Sequence, residues 1–206
     1  MALFKSAKKQ EADNISREAD TPIPFGYKIS WLAIKADTPE SVMDKLGCRD
    51  RKVSNWKSAF EVIYNSGQAF VTPCLDGYVL VLNYDKPVND IDMKRLQELA
   101  AQFEEVQYFA SHRVVDLCCW VKFAGGELVR SYYYADGETY WNEGELTTEE
   151  KDLDLTALPS ADMEDWDNVT FPDEEHVIQI AEKWGVDPLM NKYQNTKSTG
   201  HLCVLG

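Results

Sequence analysis

The amino-acid sequence predicts an α+β fold, a single domain in which an antiparallel sheet of about six strands packs against three or four helices. Several short runs of β-branched and aromatic residues follow one another across tight turns, and strands joined in this way must pair antiparallel. Helical patterns interrupt the strands without a regular β-α-β alternation, which is typical of an α+β domain. The 206 residues, 44% of them apolar, are enough to bury one hydrophobic core without a disulfide or a metal.

The chain begins with a polar stretch that differs from the rest. Residues 1–24 end in two prolines, Pro22 and Pro24, which disfavour regular strand pairing. We therefore predict a flexible lead-in over 1–24 and one α+β domain over 25–206. The alternative is a division into two lobes near 85–89, between a hairpin and a helix.

The first strand and the first helix are predicted from local patterns. Alternating large apolar residues over 27–36 predict a strand. A helix over 38–47 follows, since Thr38 can cap its first turn and Pro39 suits the first helical position. Gly47 is of the residue type that commonly ends a helix.

The middle of the chain contains two further helical patterns and one hairpin. We favour a short helix over 53–64, where apolar residues recur at helical spacing, although this stretch is ambiguous. The runs 68–72 and 78–83 are β-rich and are joined by a Pro- and Gly-containing turn, which predicts a hairpin. The clearest amphipathic helix covers 89–107.

The remaining chain predicts a strand meander followed by a surface segment and a last helix. Residues 146–169 show little periodicity and many acids, so we interpret them as a long surface segment. A helix is expected over 173–184, and the final residues, 203–206, form a closing strand or tail. The predicted strands of the meander are 107–111, 114–123, 127–135 and 139–141.

The negative charge is concentrated in one part of the chain. The net charge is −14, and residues 136–187 contain 17 acidic and 2 basic side chains. Phosphate binding needs a surplus of Lys and Arg, so this composition argues against a nucleic-acid partner. A strongly acidic surface would instead attract a basic partner, which we take to be a protein.

The cysteines and histidines show none of the spacings that hold a metal. Five cysteines occur without a C-x-x-C pair, and the three histidines stand alone in sequence. We expect no structural disulfide, bound metal or cofactor. No signal peptide or membrane-spanning run is recognised, so a cytoplasmic location is expected; the oligomeric state is left open.

Several motifs resemble those of a known family. V-T-P-x-x-D-G at 71–77 and H-R-V-V at 112–115 are the clearest, and the resemblance extends from about residue 27 to 206. They are similar to motifs of a family of uncharacterised bacterial α+β proteins, although Tyr78 stands where the family has tryptophan and Gly185 where it has serine. That family has no assigned activity, so the resemblance implies no function for any residue. By general type the chain also resembles the small acidic immunity proteins that neutralise bacterial toxins.

His112 is the residue that most suggests catalytic chemistry. Beside Asp116 it could form a base with an orienting carboxylate, near nucleophiles at Ser111, Cys118 or Cys119. A hydrolase-like enzyme with His112 in a cleft lined by the tyrosines of 132–134 is therefore the alternative function. The competing interpretation is an ordinary edge histidine and tyrosines that stabilise a sheet.

The acidic segment, residues 136–187, is the basis of the binding hypothesis. An acidic loop around Trp166 combines charge with a large apolar side chain, which could either anchor a partner or pack into the core. We therefore predict a binding or neutralising protein, of the immunity type, that docks a basic protein. The predicted contact residues are Glu149, Glu150, Asp154, Asp162, Glu164, Asp165, Trp166 and Asp167.

Overall fold

The computed structural model describes residues 15–84, 92–160 and 167–206. These residues form one antiparallel sheet of nine strands together with five α-helices. The antiparallel α+β class is confirmed, but the predicted numbers, about six strands and three or four helices, are both too low. In sequence order the strands are β1 Ile29–Lys35, β2 Arg49–Asn55, β3 Ala69–Leu75, β4 Tyr78–Leu82, β5 Glu105–His112, β6 Leu117–Ala124, β7 Glu127–Ala135, β8 Glu138–Glu143 and β9 Thr199–Val204.

The order of the strands across the sheet is β2-β9-β3-β4-β1-β5-β6-β7-β8. Strand β1 pairs with β4 on one side and with β5 on the other, so segments before and after residues 85–91 belong to one sheet. The alternative of two lobes near 85–89 falls largely outside the described residues, but the strands on either side of it share this sheet.

The helices follow the caps that the sequence contains. Thr38 accepts a hydrogen bond from Ser41 N and Pro39 opens the first helix, as predicted. The last helix begins with a capping box formed by Asp173 and His176. The helices are α1 Pro39–Lys45, α2 Trp56–Ile63, α3 Met93–Ala100, α4 Thr148–Asp152 and α5 Glu174–Lys183, and 3-10 turns occupy Arg113–Val115 and Asn191–Tyr193.

Each face of the sheet carries its own hydrophobic core. On one face α2, α5 and the chain around Leu155 cover residues such as Trp31 and Trp120. On the other face α1 and α3 cover residues such as Leu32 and Val121. Side chains along a strand point alternately to the two faces, and both faces are covered here. The central strands are therefore buried on both faces and consist mainly of apolar residues.

Two strands were missed or left open by the sequence patterns. Residues 53–55, predicted as the start of a helix, complete β2, and α2 begins only at Trp56. The closing strand is longer than predicted, and β9 lies between β2 and β3 inside the sheet. Thus β2, which is rich in charged residues, is held at the edge by a partner strand almost 150 residues away in sequence.

The predicted lead-in and surface segment both have contacts with the body of the protein. In the described part of the lead-in, Asp20 accepts hydrogen bonds from Trp56 N and Lys57 N at the start of α2. In the described part of the segment 146–169, α4 forms and Leu155 and Leu158 are buried, so this part does not lie wholly at the surface as predicted. No helix in the described parts of the chain has the length and apolarity needed to cross a membrane.

Candidate functional site

A cavity of about 520 Å³ lies where the connection between β5 and β6 meets the beginning of α5. Arg113 and Asp116 contribute from the connection, and Tyr27 comes from the chain just before β1. Three successive acidic residues at the start of α5 complete the acidic part of the wall. The carboxylates that line the cavity are Asp116, Asp173, Glu174 and Glu175.

Local sequence features hold these side chains in place. Asp116 adopts a left-handed conformation with φ 47°, which ends the 3-10 turn and directs the chain into β6. Asp and Asn tolerate this conformation better than most residues. At the other wall Asp173 caps α5 by accepting a hydrogen bond of 3.0 Å from His176 N.

Two of the carboxylates are tied to neighbouring strands by hydrogen bonds. Tyr27 Oη donates to Glu175 Oε1 at 2.7 Å, and this bond raises the pKa of Tyr27 to about 12. Ser111 Oγ lies 2.7 Å from its acceptor Gly26 O and 3.2 Å from Glu174 Oε1. The start of α5 is thereby fixed against the end of β5.

Cys118 lies on the buried side of the cavity, with 3% of its surface exposed. Burial, together with smaller effects of the nearby carboxylates of Asp173, Glu174 and Asp116, raises the pKa of its thiol to about 12. The thiol is consequently protonated near neutral pH, and it lacks the thiolate character of a catalytic nucleophile.

The cavity has a negative electrostatic character. Among the described residues that line it, four are carboxylates and one, Arg113, is cationic. The first-turn acids of α5 have a structural explanation, since acidic residues are stabilised at the positive end of a helix. Asp116 lies outside that helix and adds to the same field. A guanidinium or ammonium group is the chemistry that such a wall would bind.

The predicted contact residues occupy different environments. Asp154 and Asp167 are exposed and Glu149 is half-buried, so these three remain accessible to a partner. Four of the predicted residues lie outside the described part of the chain, so their prediction is unchanged. They are Asp162, Glu164, Asp165 and Trp166.

The prediction that Glu150 is an accessible contact residue is wrong. Its side chain is 0% exposed and forms an ion pair with Arg130, which is also fully buried, at 2.8 Å. Glu150 also accepts hydrogen bonds from Trp120 Nε1 at 3.0 Å and from Thr147 N at 2.8 Å. A buried carboxylate needs such partners, so Glu150 anchors α4 to the sheet.

The alternative enzyme site is not assembled by the fold. Tyr132 and Tyr134 face one core and Tyr133 faces the other, so the three tyrosines do not line one cleft. His112 is half-buried and lies outside the cavity wall, and its Nδ1 has no hydrogen-bond partner among the described residues. The hydroxyl of Ser111 is directed to Gly26 O. Within the described residues, no hydrogen bond joins the Nδ1 of His112 to a carboxylate or to a nucleophile.

Sequence patterns alone did not identify the cavity. The crowding of Asp173, Glu174 and Glu175 at a helix start was recognisable, but nothing in the sequence connected it with Tyr27 or Asp116. No three His, Cys, Asp or Glu side chains are grouped as metal ligands within residues 15–84, 92–160 and 167–206.

The comparisons with known proteins give no match to a family model, a curated protein or a solved structure. The resemblance to the family of uncharacterised bacterial α+β proteins therefore stays a prediction.

Proposed function

We propose that this protein is a binding protein that docks a basic protein partner through its acidic segment, with the cavity receiving a cationic side chain of that partner. The observation that carries the proposal is the cavity wall, where the charged groups among the described lining residues are four carboxylates and a single guanidinium. A lysine or arginine entering the cavity would find acceptor oxygens at several points of the wall.

The exposure of the acidic segment, residues 136–187, supports the same partner chemistry. Of the fourteen carboxylates that the structure describes between residues 136 and 187, twelve are exposed or half-buried. Their summed field would steer a cationic partner toward this segment and raise the association rate at low salt. Screening shortens the reach of this field to about 8 Å at physiological ionic strength.

The most specific form of the proposal is a neutralising protein of the immunity type. Such a protein would cover a basic functional surface of a toxin, and close charge pairs at the centre of an interface contribute most to residence time. The cavity supplies a central position for one such pair, while exposed residues such as Asp154 would act mainly on the rate of association.

The proposal can be tested with a hexa-arginine peptide as the probe. The cavity variant Asp116→Asn/Glu174→Gln removes two charges and keeps side chains that can accept the same hydrogen bonds. The control variant Glu40→Gln/Glu61→Gln removes two exposed charges from α1 and α2, outside the cavity wall. Both variants therefore have the same net charge.

Calorimetric titration at low and physiological salt should separate the two variants. We expect the cavity variant to bind about tenfold more weakly than the control, which corresponds to about 1.4 kcal/mol. An equal loss in both variants would contradict the proposal, because it would show that only the overall charge attracts the peptide. A hexa-glutamate peptide should not bind either protein.

A further inference from the structure

Two cysteines on the opposite side of the sheet from the cavity are in direct contact. Cys48 precedes β2 and Cys203 lies in β9, and their sulfur atoms are 3.2 Å apart although 155 residues separate them in sequence. Cys48 is 7% exposed and Cys203 is 0% exposed. Both are free thiols. The sheet thus holds a buried dithiol that the proposed acidic docking surface does not use.

The backbone around Cys48 is fixed on both sides. Its N–H donates to Met43 O at 2.9 Å, just beyond the last turn of α1, and its carbonyl oxygen accepts from Arg51 Nε at 3.0 Å. The pairing of β2 with β9 shifts register between Arg49 and Lys52. Asp50, at this irregularity, has a positive φ of 53°. These contacts hold Cys48 against Cys203.

The two thiols are not equivalent. The S–H of Cys203 donates to Cys48 Sγ, and this bond is the main cause of a lowered pKa of Cys48, to which Arg51 and Arg95 also contribute. The same contact raises the pKa of Cys203. Cys48, which is also the more exposed of the two, therefore has the greater thiolate character.

We propose that Cys48 and Cys203 form an oxidation site at which a hydroperoxide produces an intramolecular disulfide. In the first step Cys48 Sγ attacks one peroxide oxygen, the O–O bond breaks, and the products are a sulfenic acid on Cys48 and water. In the second step Cys203 Sγ attacks the sulfur of Cys48, and a second water leaves. Two thiols are oxidised and one hydrogen peroxide is reduced to two waters.

The geometry favours this pair over the other cysteines. A disulfide bond is about 2.05 Å long, so the sulfur atoms of Cys48 and Cys203 need to approach by roughly 1 Å. Cys118 and Cys119 are neighbours on β6 that face opposite cores, and Cys74 is exposed on β3.

The disulfide would join the edge strand β2 covalently to β9. Closing a loop this long restricts the unfolded chain, so oxidation should raise the melting temperature. A dithiol reductant should reverse the effect. The site is independent of the proposed docking function, because none of its residues lines the acidic cavity.

The test uses the full chain carrying Cys74→Ser, which removes the exposed thiol and its intermolecular reactions. The protein is treated with hydrogen peroxide, blocked with iodoacetamide, denatured, digested and mapped by mass spectrometry without reductant. We expect a linked peptide pair containing Cys48 and Cys203, two of the four remaining thiols lost, and a melting temperature higher by several degrees. The linkage and the shift should disappear after treatment with dithiothreitol.

The order of the two steps is tested with the single variants Cys48→Ser and Cys203→Ser in the same background. With Cys203→Ser, the sulfenic acid on Cys48 should accumulate and be trapped by dimedone. With Cys48→Ser, dimedone should label position 203 at least tenfold more slowly. Retention of all four thiols after peroxide treatment, or a disulfide to Cys118 or Cys119, would overturn the proposal. Equal dimedone labelling of the two variants would overturn the assignment of Cys48 as the attacking sulfur.

Discussion

Replacing Glu150 by glutamine removes one charge from a fully buried ion pair and leaves the size of the side chain almost unchanged. The partner, Arg130, is held 2.8 Å away and is 0% exposed. Glutamine retains one acceptor oxygen, but its amide nitrogen donates and cannot accept. The three donors that now share the two carboxylate oxygens, Arg130 Nε, Trp120 Nε1 and Thr147 N, therefore cannot all be satisfied. The variant therefore leaves a buried cation without its counter-charge.

The expected loss of stability follows from this arrangement. Removing one partner of a buried ion pair typically costs about 3–5 kcal/mol, because the remaining charge stays desolvated. Arg130 keeps three carbonyl acceptors through its Nη1, on Ser131, Asn142 and Glu143, which places the estimate toward the lower end. For a chain of this size, such a loss corresponds to a melting temperature lower by about 6–20 °C.

Urea denaturation followed by circular dichroism would measure the change. Glu149→Gln is the matched control, since it removes the same charge from the half-buried neighbouring position and should stay within about 0.5 kcal/mol of the wild type. The double variant Arg130→Met/Glu150→Gln should lose less than the sum of its single variants, because the stranded charge is removed. If Glu150→Gln costs less than 1 kcal/mol, the ion pair does not anchor α4 as argued.

Three further predictions concern the core, the cavity and a titrating tyrosine. Gly200→Ala should destabilise the protein by about 2 kcal/mol in urea, because the added methyl would clash with Val71 O and the ring of Phe70. Gly67→Ala, where nothing lies within 4 Å, should have little effect. In native protein at pH 8, Cys118 should react with iodoacetamide far more slowly than the exposed Cys74, and comparable rates would show that the cavity thiol is ionised or open. The hydrogen bond from Tyr27 to a carboxylate raises the pKa of the Tyr27 hydroxyl from 10.0 to about 12. Because the unfolded chain loses this hydroxyl proton at lower pH than the folded protein does, the free energy of unfolding should fall as pH rises from 10 to 12. Urea denaturation across this pH range should show a smaller fall for Tyr27→Phe.

Elements with strong local signals could be predicted from the sequence. Thr38 and Pro39 predicted the start of α1, and the Pro- and Gly-containing turn predicted the hairpin of β3 and β4. In these cases the residues that determine the structure lie within one turn of each other. The hairpins of the meander followed for the same reason.

Strand β2 shows why other elements escaped prediction. Its sequence, Arg49–Asn55, is charged and mostly exposed and lacks the alternation of a half-buried strand. It extends along the sheet because β9 offers backbone hydrogen-bonding groups, and the same charged side chains protect the exposed edge. The hydrophobic periodicity of a short stretch of sequence carries no information about a partner strand from the far end of the chain.

By itself the sequence determined the antiparallel α+β class, most of the helices and the concentration of acid between residues 136 and 187. Only the tertiary structure decided which acids face solvent: it buried Glu150 beside Arg130 and gathered Asp116 with the acids of α5 around one cavity. It also placed Cys48 against Cys203. The physical reason is that caps, turns and periodicity act between neighbouring residues, whereas burial, ion pairing and sulfur contact depend on segments that meet only when the sheet has formed.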